Sequence, residues 1–568
     1  MQNLRKTLLS IHRKSYPAYK SLRGSYDFKT YTLSIDHVQG DPFASPSNLS
    51  VRIPLTRAAF PPAYYNCYEN KVALQDYLTR KFYSQIEKYN FKAKGSGKSG
   101  LISTSRCGQE ILERTACEIT KNEIIARFEV GFPANGRTIN APELEKILFD
   151  FLPKCVESVF YSKSLPAEEV ESVIHLAEDQ HYIREELNRL GLVAFIADGS
   201  ILPRKSGVSS LPLGSAIPFH SPDTLSIQLQ LPHKGKLSGM GIKKGITLIV
   251  GGGYHGKSTL LNALEDGVYN HIAGDGREYV ITDDTALKLR AEDGRCIKNV
   301  DISLFIQNLP NKKDTRSFST ENASGSTSQA ANLIEGIEAG SHTFLIDEDT
   351  TATNFMVRDT LMQQIIARDK EPITPFLERV RDIYEKAGIS TILVAGSSGA
   401  YFHAADTILQ MDCYRTLDIT KKVKELCEQL EAPSLTAPGF RIPVFQRPVL
   451  SKVSGHAQKV AHKGKASNER LKVKVMGKDA FLIDRQTVDL RYVEQLADSE
   501  QTAYLAQLLK YIKEQDFGEM SMTDAVHLLE TQIKNRGLSS VLTSSCIPCG
   551  YALPRVQEIY ACFNRYRG

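Results

Sequence analysis

Apolar and polar positions alternate with a period of two over Tyr31–Ile35 and again over Ile124–Phe128, which predicts half-buried strands. Near 71–89 and 143–155 the apolar spacing is helical instead, so residues 1–170 are expected to form an α+β domain. The pattern changes over 171–430. Short, mostly apolar runs (Ile246–Val250, Ile302–Ile306, Thr343–Ile346, Thr391–Val394 and Thr407–Met411) alternate with helical segments, as buried strands of a mostly parallel sheet require. A passage marked by Pro433, Pro438, Pro443 and Pro448 then leads into a basic linker, and helical sequence such as Tyr492–Ile512 follows. Residues 431–568 are therefore assigned to that linker and a smaller α+β C-terminal domain. The expected fold class is α/β.

At 568 residues the chain exceeds what one hydrophobic core can fill. No apolar run is long enough to cross a bilayer, which argues against a transporter carrying its own channel. The first 23 residues are basic and lack acids, as in an organelle transit peptide, but Leu4, Leu8 and Leu9 run directly into patterned sequence from Tyr16. A structured start is the expectation. Ten scattered cysteines read as reduced thiols of a cytoplasmic protein, and Cys546, Cys549 and Cys562 as buried thiols rather than zinc ligands.

The strongest chemical signal is the run Gly251, Gly252, Gly253, Tyr254, His255, Gly256, Lys257, Ser258, Thr259. It fits the Walker A pattern G-x-x-x-x-G-K-S and lies between an apolar strand and a helix opening on Leu260 and Leu261. Glycines let successive amides turn toward phosphates, and the helix N-terminus adds its dipole. Lys257 is expected on the terminal phosphates of ATP and Ser258 on magnesium. A second Gly-Lys-Ser, Gly97 to Ser99, has Lys92 where the first glycine belongs and no strand before it. It reads as part of a flexible insert over 94–100.

Downstream, the apolar strand from Thr343 ends in Asp347, Glu348 and Asp349. This suits a Walker B strand, with Asp347 as a magnesium ligand and Glu348 orienting the attacking water. Before it lies Ala323, Ser324, Gly325, Ser326, Thr327, Ser328, Gln329, a small-residue turn opening a helix that is similar to the ABC signature L-S-G-G-Q. The order P-loop, signature, Asp-Glu narrows the class.

The chain resembles the predicted ABC-class ATPases of bacteria and organelles. Strings that carry the resemblance include Gly24–Phe28, Asp36–Ala44, Gly131–Arg137, Gly239–Ile242, Gly274–Glu278, Arg290–Arg295, Ala323–Asn332, Ala352–Phe355 and Glu371–Pro375. The resemblance implies a P-loop ABC-type ATPase core and a homodimer sandwiching two ATP molecules, each between one copy's P-loop and the other's Ser324, Gly325 and Ser326. It also places Asp349 beside that interface. Gln307 fits a Q-loop glutamine by position, with catalytic and magnesium contacts. Where ABC proteins carry a switch histidine the chain has Ser397 and Ser398, so Ser397 is the expected γ-phosphate contact. Only a short segment separates Gln307 from Ser324, too little for a membrane-coupling helical subdomain. Phe219 is a weak candidate for stacking on adenine.

Charge points to the partner. Residues 1–29 hold seven Lys/Arg against one acid and residues 441–478 ten against one, while the whole chain carries only +5. The remainder of the chain is therefore net acidic, and a polyanion is expected at the flanks, where Lys472 and Lys474 read as one face of a strand. Tyr16, Tyr19, Tyr26 and Phe28 sit near cations and could stack unpaired bases, although tyrosines in such a pattern are more often core. With the family's link to nucleic acid, RNA is the favoured partner. The alternative is a P-loop kinase or small-molecule phosphotransferase, which would need an arginine-rich lid and have no use for Ser324 or Asp349.

Overall fold

The computed structural model describes residues 1–358, 365–396, 398–430, 437–449, 471–515 and 520–568, leaving aside the side chain of Asp369. They form two compact units, Met1–His181 with Arg536–Leu553, and Tyr182–Asn535 with Pro554–Gly568. The three sequence blocks thus do not map onto three bodies. The C-terminal block is shared between the two units, because packing partners are chosen by complementary surface and not by order along the chain.

The first unit is built on an antiparallel sheet in the order Gly24–Asp27, Thr32–His37, Ser47–Pro54, Glu123–Val130 and Ile102–Ser103, with Cys117–Ile119 also paired to Glu123–Val130. The helix Tyr68–Glu87 buries Leu74, Leu78, Phe82 and Ile86. The start of the chain is structured as expected: the helix Gln2–Ser10 buries Leu4 and Leu8 on one face. Late residues complete the unit, where Thr115 N donates to Tyr551 O at 2.9 Å and Ser105 Oγ to Cys549 O at 2.9 Å.

Two readings are decided in this unit. Tyr16, Tyr19 and Phe28 are core residues, not base-stacking platforms; the Tyr16 and Tyr19 hydroxyls donate to Phe132 O at 3.0 Å and Pro133 O at 2.6 Å. Tyr26 is half-buried and donates to Leu22 O. The hydroxyls of Tyr16 and Tyr19 found backbone carbonyls, which let those rings go inside. The insert over 94–100 is pinned rather than loose. Ser99 is buried and accepts from Ala134 N at 3.0 Å, while a Cβ on Gly131 would lie 1.8 Å from Lys98 O.

In the second unit the main sheet runs Leu287–Leu289, Thr343–Asp347, Ser390–Val394, Ile246–Val250, Thr407–Asp412 and Arg415–Asp418. All neighbours are parallel except the last pair, an antiparallel hairpin. The strands Thr343–Asp347 and Ser390–Val394 are buried at every position, which is why they read as continuous apolar runs. In register, Asp347 faces Val394, and Val394 faces Ile249. Three strands therefore end in one row, and the segments that follow them share one edge of the sheet.

A separate antiparallel sheet comprises Ser226–Leu231, Gly235–Lys243, Leu192–Ala197 and Val280–Thr282. A small one comprises Val473–Val475, Ala480–Ile483 and Gln486–Asp489, and Lys472 and Lys474 are exposed around its first strand as predicted. The predicted strand Ile302–Ile306 is instead a compact turn, closed by Ile306 N donating to Ile302 O at 2.8 Å, with Ile302, Leu304, Phe305 and Ile306 all buried. The predicted helix from Tyr492 begins later, at Ser499, where Asp498 and Gln501 form a capping box. Between Gln307 and Ser324 the described structure is a short strand, Phe318–Thr320, paired with Ile297–Val300.

Candidate functional site

The loop after Ile246–Val250 reverses into the helix Lys257–Asp266, and two glycines make that turn possible. Gly251 (φ 141°) passes so close to the neighbouring strand that a Cβ would lie 2.4 Å from Met411 O. Gly256 (φ 102°) caps the helix in the left-handed region. Between them Tyr254 takes φ 65° and is fully exposed. The Lys257 ammonium folds over the loop, donating to Gly251 O at 2.7 Å and Gly252 O at 3.0 Å. His255 ties the loop to the neighbouring hairpin: its Nδ1 accepts from Cys413 N at 3.0 Å, lies 3.1 Å from Asp412, and its carbonyl accepts from Tyr414 N.

Across the sheet edge, Asp347 ends its strand with Oδ2 3.5 Å from Ser258 Oγ. Its Oδ1 accepts from Asp349 N at 3.1 Å, so the carboxylate is aimed by the short helical turn that follows. Glu348, the first residue after the strand, accepts from Gly396 N at 2.6 Å. Gly396 follows Ser390–Val394, so the aligned strand ends bring Lys257, Ser258, Asp347 and Glu348 together. Ser258 and Asp347 offer hard oxygen donors, the chemistry that suits a magnesium ion keeping several waters. The Gly396 amide was not legible in sequence, because a backbone donor leaves no residue-type signal.

The remaining predicted residues stand elsewhere. Gln307 donates its amide to Ser303 O at 2.6 Å and its backbone N–H to Pro372 O, bonds that join it to none of the four groups above. Ser397 lies outside the described residues; Ser398 accepts from Ala400 N at 3.3 Å. Phe219 is buried, its backbone bonded to Gly199 and Ser200, so its ring is not available to a base. Cys549 and Cys562 are buried and Cys546 half-buried, and burial pushes the Cys562 thiol up. Among the described residues none of these three joins a group of metal-ligating side chains.

Ser324 is the N-cap of the helix Gly325–Glu338 and is exposed, its hydroxyl 2.9 Å from Thr327 Oγ1. The helix is held from below by a buried polar network. Arg295 bonds Asn332 and Glu335, Arg565 bonds Glu292, and Glu292 N donates to Ser328 Oγ at 2.8 Å. Burial opposes charge on Glu292, but Arg565 and Arg295 outweigh it and hold the carboxyl below its ordinary range. Gln329, inside the quoted signature string, accepts from Ala352 N at 2.9 Å, which couples this helix to the loop after Asp349.

A phosphate-cradling turn, a lysine folded over it and a strand ending in Asp-Glu define a P-loop nucleotide-binding core. The P-loop domain model of the ABC-class ATPases matches residues 166–444, and the model for the N-terminal region of ATPases of the ABC class matches 1–163. The chain belongs to the ABC-class ATPases. Residues 472–568 match the model of the MRB1590 C-terminal domain.

An uncharacterised protein of Methanocaldococcus jannaschii is 35% identical over 230 residues, 39% of this chain, and the match spans only 50% of that relative. Two solved structures are similar. One is the ADP conformation of an ATP-binding cassette of an ABC transporter, with TM-score 0.26 and 12% identity, covering 42% of this chain and 95% of that one. The other is the Clostridium perfringens cbiO1 component of the cbiONQ transporter, with TM-score 0.26 and 12% identity over 42% and 94% of the two chains. No helix among the described residues is long and apolar enough to cross a membrane.

Proposed function

We propose that the chain hydrolyses ATP with magnesium, that two copies close around two ATP molecules, and that closure is coupled to binding nucleic acid, with RNA favoured. The observation that carries the hydrolytic reading is Glu348, fixed by Gly396 N at 2.6 Å beside the paired oxygens of Ser258 and Asp347. A carboxylate held in that place can accept a proton from water and orient it toward a terminal phosphate. Lys257 and the loop amides would bind and orient the phosphates. Ser258 and Asp347 would hold magnesium, which when bound offsets phosphate charge.

The sandwich is supported by the exposed hydroxyl of Ser324 at a helix N-terminus, a surface suited to the phosphates of a nucleotide held by a second copy. With a non-hydrolysable ATP analogue, the wild-type chain is expected to sediment as a dimer and Ser324→Arg as a monomer, since a bulky cation would fill the closing surface. The same association state in both would remove the signature assignment.

The nucleic-acid reading rests on the basic flank and on the exposure of Lys472 and Lys474. Replacing both with Ser, together with Lys463 and Lys465 outside the described residues, should weaken RNA binding about equally across sequences. Each lost phosphate contact should make the log–log salt dependence shallower by about 0.7 on a single strand. Titrations at several salt concentrations check this. An unchanged affinity and slope would reduce the stretch to a solvated face.

A further inference from the structure

The site described so far accounts for phosphates but not for what they are attached to. We propose that Tyr414 is the platform for the nucleotide's base; this rests on the reading of Gly251–Thr259 as a triphosphate site. Tyr414 occupies the two-residue turn of the hairpin between Thr407–Asp412 and Arg415–Asp418, whose last pair is Asp412 with Arg415. Both turn residues are left-handed, Cys413 at φ 48° and Tyr414 at φ 65°. Such a turn favours asparagine and glycine, and a bulky aromatic there is strained. Strain of this kind persists where the surroundings hold it, and they do.

The hairpin tip is latched to the P-loop by two backbone donors that both bond His255, Cys413 N to its Nδ1 and Tyr414 N to its carbonyl O, each at 3.0 Å. The ring then lies against the loop itself: a Cβ built on Gly256 would be 2.9 Å from Tyr414 Cδ1. Gly256 immediately precedes Lys257, so the ring adjoins the cradle yet contributes nothing to its amides. Tyr414 as a residue is 49% exposed, while its Cδ1 packs on the loop. A flat ring, held in place and half uncovered beside a phosphate site, offers what a purine needs for stacking. Tyr254 is also at the loop, but it is 100% exposed and rests on no neighbour. Phe219, the sequence candidate, is buried.

The contact needs only the ring, and the latch needs only the Tyr414 backbone, so the two roles separate by substitution. Equilibrium dissociation constants for ATP and for inorganic tripolyphosphate, both with magnesium, should be measured for wild type, Tyr414→Ala and Tyr414→Phe. Tripolyphosphate carries the phosphate chain without a base. Tyr414→Ala should lose at least about fivefold in ATP affinity, equivalent to about 1 kcal/mol, with tripolyphosphate affinity unchanged. Tyr414→Phe should bind ATP like wild type. The proposal is overturned if Tyr414→Ala weakens both ligands by one factor, which would make the ring a prop for the loop, or if its ATP affinity does not change. Wild type binding neither ligand would remove the triphosphate site itself and the proposal with it; wild type binding both leaves the Tyr414 comparison to decide.

Discussion

Lys257→Ala is expected to abolish detectable ATP turnover and to weaken ATP binding greatly. The ammonium sits over the loop, donating to Gly251 O and Gly252 O, at the first residue of the helix Lys257–Asp266. Charge develops on the transferred phosphoryl group, and a preorganised cation in a partly desolvated site acts where water would respond only after reorganising. Removing one such donor commonly costs about 10²–10³ in rate. Alanine also frees the two loop carbonyls, so binding and turnover should fall together. Turnover by a phosphate-release assay and binding by calorimetry check this. Wild-type turnover in the variant would show that the Gly251–Thr259 loop is not the catalytic site.

Glu348→Gln should separate binding from chemistry. Glutamine keeps an oxygen for the Gly396 N–H, so the loop geometry at 2.6 Å is preserved while the ability to take a proton is lost. A positioned general base contributes about 10²–10⁴ in rate, and a loss of that order is expected with ATP affinity retained. Since the closed dimer would no longer discharge its ATP, sedimentation with ATP should show it accumulating, and adding Ser324→Arg should prevent this. Rapid multiple turnover in Glu348→Gln would mean that another group orients the water.

What could be read from the sequence was what is local. The P-loop was legible because strand, glycine turn and helix are contiguous, and Asp347 and Glu348 because the apolar strand ends abruptly in acids. The run Ile302–Ile306 misled because four apolar residues in five say only that a segment is buried. A turn whose N–H groups bond within itself hides them as well as a strand does. Tyr16 and Tyr19 left the core and base-stacking readings open for the complementary reason: their carbonyl partners, Phe132 and Pro133, lie more than a hundred positions away. Gly396 acts through a backbone amide, which leaves no mark in residue type, and the place of Tyr414 beside Gly256 comes from the fold and not from any local pattern. The sharing of the C-terminal block between two units is beyond any local pattern.

That sharing has a consequence for how the chain is made. The polypeptide passes between the units at 181–182, 535–536 and 553–554, so the N-terminal sheet borrows a segment synthesised much later. Until Tyr551 and Leu553 arrive, the N–H of Thr115 and the carbonyl of Glu113 lack their backbone partners. At about 5–20 residues per second, the interval between residues 181 and 536 is on the order of 20–70 s. Throughout it the nascent N-terminal unit presents an unfinished surface, while the P-loop segment emerges and folds behind it. A ribosome that stalls before residue 536 would leave that surface open for good, and such a product should be a target for chaperones or proteases even though every strand of its sheet has been translated.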